Sequence, residues 1–334
     1  MGGTGPRPGR VLVTGWFSFV HGEATAGDVL AAEHVCGALA AAGIGHDVAW
    51  SPVLRPAGPV LDGLDPAAYS HLVFVCGPLH GAPAGDGLPS PLLELHRRFA
   101  HARRVAVGVS VPDPDDPAVT AFHRVLARDG AGHAPPSADL SCHAPEPEQL
   151  PVVGVLLTSG QGEYGGRRRH DAVNAVLGGW LCHAPAARVP LETRLDGRDW
   201  RLPATAAQLW SVLRRLDGVV TTRLHGLVLG LRAGLPVLAV DPVEGGAKVG
   251  AQARALGWPA VVPAGRLTEA ELDRWWTWCR SEPGRARAAR IRDRMRGGGY
   301  DDPVGDLVAA LTGELPREGR EGRDGCDGRG GRGR

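Results

Sequence analysis

The stretch from Gly218 to Val240 constrains this chain more than any other. It opens with an apolar run, Gly218 to Thr222, and closes with a second, Leu235 to Val240. Each suits a buried strand. Between them Gly226 to Ala233 has the make-up of a short helix, and Gly234 suits its C-terminal stop. Two strands joined by a helix run parallel. Arg223, Leu224 and His225 then fall at the strand-to-helix turn, and a glycine turn past the second strand carries Lys248. The unit therefore places Arg223, His225 and Lys248 at one carboxyl edge, where open α/β sheets bind ligands.

The rest of the chain repeats this alternation. Val11 to Thr14, Val48 to Trp50, His71 to Cys76 and Val105 to Val109 read as strands. Helices are expected from Val29 to Ala42 with Asp28 as N-cap, from Ser90-Pro91 to about Ala102, and from Pro117 to Arg128. Ala131 to Pro151 turns to Pro, His, Ala and Glu and reads as an interdomain linker. The alternation restarts at Val152 to Thr158. It continues with a loop from Ser159 to Arg169, a helix from about Asp171 to Cys182 and a helix from Thr205 to Leu216. Beyond Lys248 come helices at Val249 to Leu256, Thr268 to Cys279 (with a capping box from Thr268 and Glu271), Arg285 to Arg296 and Pro303 to Leu311. The expected class is α/β, with an N-terminal domain over residues 10–148 and a C-terminal one over 149–312. Residues 313–334 are Gly, Arg, Glu and Asp without core residues and are expected to be a disordered tail.

Composition excludes several functions. A formal net charge of +1 gives no global pull toward nucleic acid or a membrane surface. No apolar run reaches the ~20 residues of a membrane span, and the Gly/Pro/Arg-rich start has no signal-peptide pattern, so a cytoplasmic protein is expected. Six scattered cysteines without a C-x-x-C pair argue against a zinc ribbon or a disulfide framework; most are expected to be buried thiols. Among the 37 basic residues, Lys248 is the sole lysine. Ammonium is a compact point charge and guanidinium a wide planar fork, so a lone lysine among arginines marks a place that arginine does not serve. Chance survival is the other reading.

Arg223 and Lys248 close together call for an anion. The helix after His225 adds N–H groups and the positive end of its dipole, and a histidine there can act as an acid at neutral pH. The alternative is that Arg223 pairs with a local carboxylate such as Asp217 or Asp241 and that His225 is an ordinary helix-start residue.

Thr-Thr-Arg-Leu-His-Gly-Leu at 221–227, Gly-Leu-Pro-Val-Leu-Ala-Val at 234–240 and Lys248 ahead of a short helix ending at Gly257 resemble the C-terminal signature of the polysaccharide pyruvyl transferases. Fainter likenesses are Gly27-Asp28, His71 to Gly77, Val105 to Pro112, and Arg128-Asp129 followed by Ala138-Asp139-Leu140. The resemblance implies two Rossmann-like domains facing a cleft, the GT-B-like arrangement. It implies phosphoenolpyruvate as co-substrate, with no other cofactor, and a sugar or glycosylated acceptor that receives a pyruvate ketal; no metal is expected, because the thirteen histidines form no convincing H-x-x-x-H pair. His225 would be the general acid, with Arg223, Lys248, Gly226 and Arg128 on the donor. Asp28, His21 and His80 are the acceptor-side candidates. The sequence departs from the family in having Thr25-Ala26 before Gly27, and in a reduced glycine run after the third strand. The alternatives are a GT-B glycosyltransferase using a nucleotide sugar and a non-catalytic relative that only binds the anion.

Two further features bear on function. The loop with Gly160, Gly162, Gly165 and Gly166 follows the first strand of the second domain and could approach a phosphate, but lacks the lysine of a P-loop. Trp275, Trp276 and Trp278 do not share one helix face, and some are expected to pack between domains.

Overall fold

The computed structural model describes residues 9–313 except 21, 84, 86, 132–134 and 161. Two compact units divide at Glu148 and Gln149. The first runs β1 (Val11–Thr14), α1 (Ala26–Ala41), β2 (His46–Val48), β3 (His71–Val75), α2 (Pro91–Arg98), β4 (Arg103–Val111), α3 (Pro117–Thr120) and β5 (Arg124–Gly130). The second begins β6 (Val152–Leu156), α4 (His170–His183), β7 (Ala187–Pro190), α5 (Ala206–Leu213), β8 (Gly218–Thr221) and α6 (Leu224–Ala233). It continues β9 (Val237–Asp241), α7 (Lys248–Leu256), β10 (Val261–Pro263), α8 (Glu269–Arg280), α9 (Glu282–Arg296) and α10 (Val304–Thr312).

Each unit is a five-stranded, all-parallel sheet, in the orders β2-β1-β3-β4-β5 and β10-β9-β8-β6-β7. Counted from its own first strand, each follows the same 2-1-3-4-5 winding, so both units are Rossmann-like. The order reverses between β1 and β3 in one unit and between β6 and β8 in the other. Those switch points open a crevice beyond the strand ends. The central strands are buried on both faces, which is why they read as unbroken apolar runs.

Several expectations change. Pro117 to Arg128 is not one helix: α3 stops at Thr120, and Arg124–Gly130 is the edge strand β5. His123 and the β-branched Val125 give way to pairing with β4, where tertiary context overrides helical spacing. Thr25 is the N-cap of α1, and Asp28 is the third residue of a capping box, its carboxylate accepting from the Thr25 amide at 3.0 Å. The linker reading also fails in part, because Asp139 pairs with Arg128 and Leu140 packs into the first unit. Trp276 packs in the second unit's own core, edge-on to Trp180 at 6.1 Å. Of the five described cysteines only Cys76 and Cys279 are buried. Cys326, the tail beyond Gly313 and His21 lie outside the described residues.

Candidate functional site

In the second unit, two threonines at the end of β8 set the turn. The Thr221 hydroxyl donates to the Leu156 carbonyl at 2.8 Å and accepts from the Arg223 amide at 2.9 Å. The Thr222 hydroxyl accepts from the Thr158 amide at 2.9 Å. The carboxyl ends of β6 and β8 are thus stitched together, and Arg223 leaves the sheet at the switch point. Gly226 lies directly over this turn: a Cβ there would stand 2.2 Å from Thr221 Oγ1, so only glycine lets α6 start so close to its strand.

Each nitrogen of the Arg223 guanidinium has one partner, which leaves two of its five N–H groups without a bond among the described residues. Nε donates to the Leu157 carbonyl at 3.1 Å, Nη2 to Glu192 at 2.8 Å and Nη1 to Thr193 Oγ1 at 3.4 Å. The expected local carboxylates are elsewhere: Asp217 accepts from the Val152 amide, and Asp241 from the Val243, Ala247 and Gly250 amides. A carboxylate does hold Arg223, but it comes from the loop after β7, which the local sequence could not indicate.

His225 falls inside the first turn of α6, not before the helix as expected. It is exposed, and its ring makes no hydrogen bond among the described residues. It borders a cavity of about 360 Å³ whose walls include Thr193, Leu195, Trp210, Leu229 and Arg232. The Arg232 guanidinium lies 5.5 Å over the Trp210 ring. Lys248 opens α7, and its Nζ is 3.4 Å from Glu163 and 5.9 Å from the Tyr164 ring centre. Arg223, His225 and Lys248 therefore share the carboxyl edge of adjacent strands, but each has its own surroundings. Thr193 links Arg223 to the His225 cavity, while Lys248 reaches toward the loop after β6.

The first unit has its own crevice at the β1/β3 switch point, a cavity of about 430 Å³. Trp16, just after β1, stacks on His80 at 4.7 Å and 18°. Its indole N–H donates to the Pro78 carbonyl at 2.8 Å. At Gly77, φ is +71° and a Cβ would lie 2.3 Å from the Trp16 ring, so the chain turns under the indole only with glycine there. Asp28, Glu23 and Arg128 complete the polar lining. The acceptor-side candidates Asp28 and His80 are thus brought together. Arg128, counted on the donor side, lines this same crevice. It is held by Asp129, Asp139 and the Ser110 hydroxyl. Hydrogen bonds from Ser110 and Arg128 hold the Asp129 carboxyl below its usual range. Burial pushes the Cys76 thiol up to about 12, so it is no nucleophile at neutral pH.

Sequence reasoning missed Glu192, Thr193, Trp210 and Trp16. Only Trp16 carried a signal, a bulky aromatic on the loop after the first strand. Among the described residues no cluster of His, Cys, Asp and Glu could hold a metal ion, and no helix is long and apolar enough to cross a membrane.

No family model and no curated protein matches the chain. Solved structures similar to it include the glycotransferase of kitacinnamycin, at 13% identity and TM-score 0.33, covering 93% of this chain and 100% of that one. The calicheamicin glycosyltransferase is 15% identical at TM-score 0.33, with the same coverages of 93% and 100%. A glycosyltransferase of Streptomyces nogalater is 15% identical at TM-score 0.30, covering 90% and 99%. At such TM-scores none of these neighbours' substrates carries over; the Rossmann-like class of each unit rests on its strand order.

Proposed function

We propose that this chain is a transferase that takes a phosphate-bearing donor at the carboxyl edge of its second sheet and a sugar-containing acceptor. The observation that supports it is the β6/β8 switch point, where a held arginine, a solvent-facing histidine at a helix start and a lysine on the neighbouring strand's helix share one edge.

Two donors meet these terms. A nucleotide sugar suits the cavity beside His225. Its walls are mainly apolar, with the Trp210 ring for a base to pack on, and the Glu192 carboxylate, next to the lining residue Thr193, can accept from sugar hydroxyls while disfavouring a small, densely anionic donor. Arg223, Lys248 and the α6 N-terminus then offset the charge that develops on the departing diphosphate. Phosphoenolpyruvate is favoured by the Arg-Leu-His-Gly segment and the sole lysine. In that chemistry His225 protonates the enol methylene, a sugar hydroxyl attacks the resulting cationic carbon, phosphate leaves and a second hydroxyl closes the ketal. His225 has the solvent access this needs, and Glu192 must release Arg223 to the donor.

Thermal unfolding with each ligand separates the two. A ligand at a hundred times its Kd stabilises by about 2.7 kcal/mol. Stabilisation by nucleoside diphosphates alone selects sugar transfer, and by phosphoenolpyruvate alone selects pyruvyl transfer. Arg223→Ala should abolish either response. If neither ligand stabilises the chain, or if Arg223→Ala responds like the wild type, the proposal fails.

A further inference from the structure

The loop after β6 ends at a helix start unlike those of α1, α5, α8 and α9, each of which a Thr or Ser side chain caps. The N-cap of the 14-residue α4 is Arg169, and no side chain caps it. Three features meet there. First, His170 opens the helix with 2% of its surface exposed, and neither ring nitrogen has a partner. Unpaired buried polar atoms cost about 1–3 kcal/mol each, so they ask for an occupant. Second, the Arg168 guanidinium forms no ion pair or hydrogen bond among the described residues. It lies against Gly160, where a Cβ would stand 2.2 Å from Nη2. Third, a cavity of about 410 Å³ is lined by Gly165, Arg168, Arg169, His170, Asp171 and Ala172.

We infer that this cavity is a binding site for a phosphoryl group, with Arg168, the His170 ring and the first amides of α4 as its donors. A phosphoryl group supplies several acceptors to the donors gathered here, the Arg168 guanidinium, one ring N–H of His170 and the amides of the helix start. The helix start adds its dipole and free N–H groups. Arg169 is already neutralised by Glu244, so Arg168 is the cation left for the ligand. Asp171, exposed at the rim, sets a limit on the negative charge the site takes. Burial first, and then the charge of Arg168, hold the His170 imidazole below its ordinary range, so without an anion it stays neutral and still has one N–H to donate. Its lining includes none of Arg223, His225 and Lys248, so it is a second site beside the proposed donor site.

The test is calorimetric titration of the full chain with inorganic phosphate and with pyrophosphate, using wild type, Arg168→Ala, His170→Gln and Arg223→Ala. Saturable binding of at least one of the two ions is expected. Arg168→Ala, a surface change, should weaken it about tenfold or more, the loss typical of a charge-assisted hydrogen bond. His170→Gln should do the same if its melting temperature matches wild type; if it does not fold, Arg168→Ala decides alone. Arg223→Ala removes only ion bound at the donor site and should keep the binding component that Arg168→Ala weakens. No saturable binding to the wild type, or unchanged affinity in Arg168→Ala, overturns the site. Loss in Arg223→Ala with Arg168→Ala unaffected overturns it while supporting the donor site instead.

Discussion

Loss of Asp241 should cost the second unit much of its stability, because one small carboxylate gathers three backbone amides. Asp241 ends β9 with 2% of its surface exposed. Its carboxylate accepts from the Ala247 amide at 2.7 Å, the Gly250 amide at 2.8 Å and the Val243 amide at 3.2 Å. Ala247 and Gly250 bracket the first turn of α7, so Asp241 serves as that helix's cap from six residues upstream and places Lys248. In Asp241→Ala the two short bonds, each from an amide to a charged acceptor, are lost at about 1.5–3 kcal/mol apiece. Both amides are half-buried, and water can reach them in part, so the lower end of the range applies. The expected loss is about 3 kcal/mol, or about 6–12 °C in Tm for a unit of this size. Asp241→Asn keeps one acceptor oxygen without the charge and should lose roughly half as much. Urea unfolding monitored by tryptophan fluorescence reads both, with a shift in midpoint at unchanged slope. A loss under about 1 kcal/mol in Asp241→Ala would refute the cap, since it would mean that water replaces the carboxylate at no cost.

Three further outcomes are expected. Gly226→Ala should destabilise the second unit by about 2 kcal/mol, because its Cβ meets Thr221 Oγ1 at 2.2 Å and pushes α6 off β8; denaturant unfolding measures it. His96 is buried, donates from Nε2 to the Ala118 carbonyl at 2.9 Å, and has its pKa lowered from 6.5 mainly by burial. The unfolded chain therefore takes up a proton first as pH falls, so stability is complete above about pH 7 and declines below about 6.5, at up to ~1.4 kcal/mol per pH unit from this group. His96→Gln should flatten that part of a stability-versus-pH curve. Arg128→Ala should cost about 2 kcal/mol and free residues 139–143, which limited proteolysis reads as new cleavage there, because the arginine ties Asp139 to β5 and Ser110.

The sequence alone determined the α/β class, the parallel strands and the edge on which Arg223, His225 and Lys248 lie. The reason is that a strand buried on both faces must be apolar along its whole length, and a helix closed by a left-handed glycine such as Gly234, with φ +86°, shows both of its ends locally. It could not decide which residues meet at that edge. Glu192 follows β7 and Thr193 sits next to it, yet they hold an arginine some 30 residues downstream because β7 and β8 flank the same strand. Likewise β5 was hidden, because an edge strand is exposed on one side and its spacing passes for a helix. The common winding of the two units, and the crevice each one opens between its first and third strands, exist only once strand order is known. Periodicity reports which face of an element is buried; strand order and ion pairing depend on partners far away in the chain, and only the folded structure brings those together.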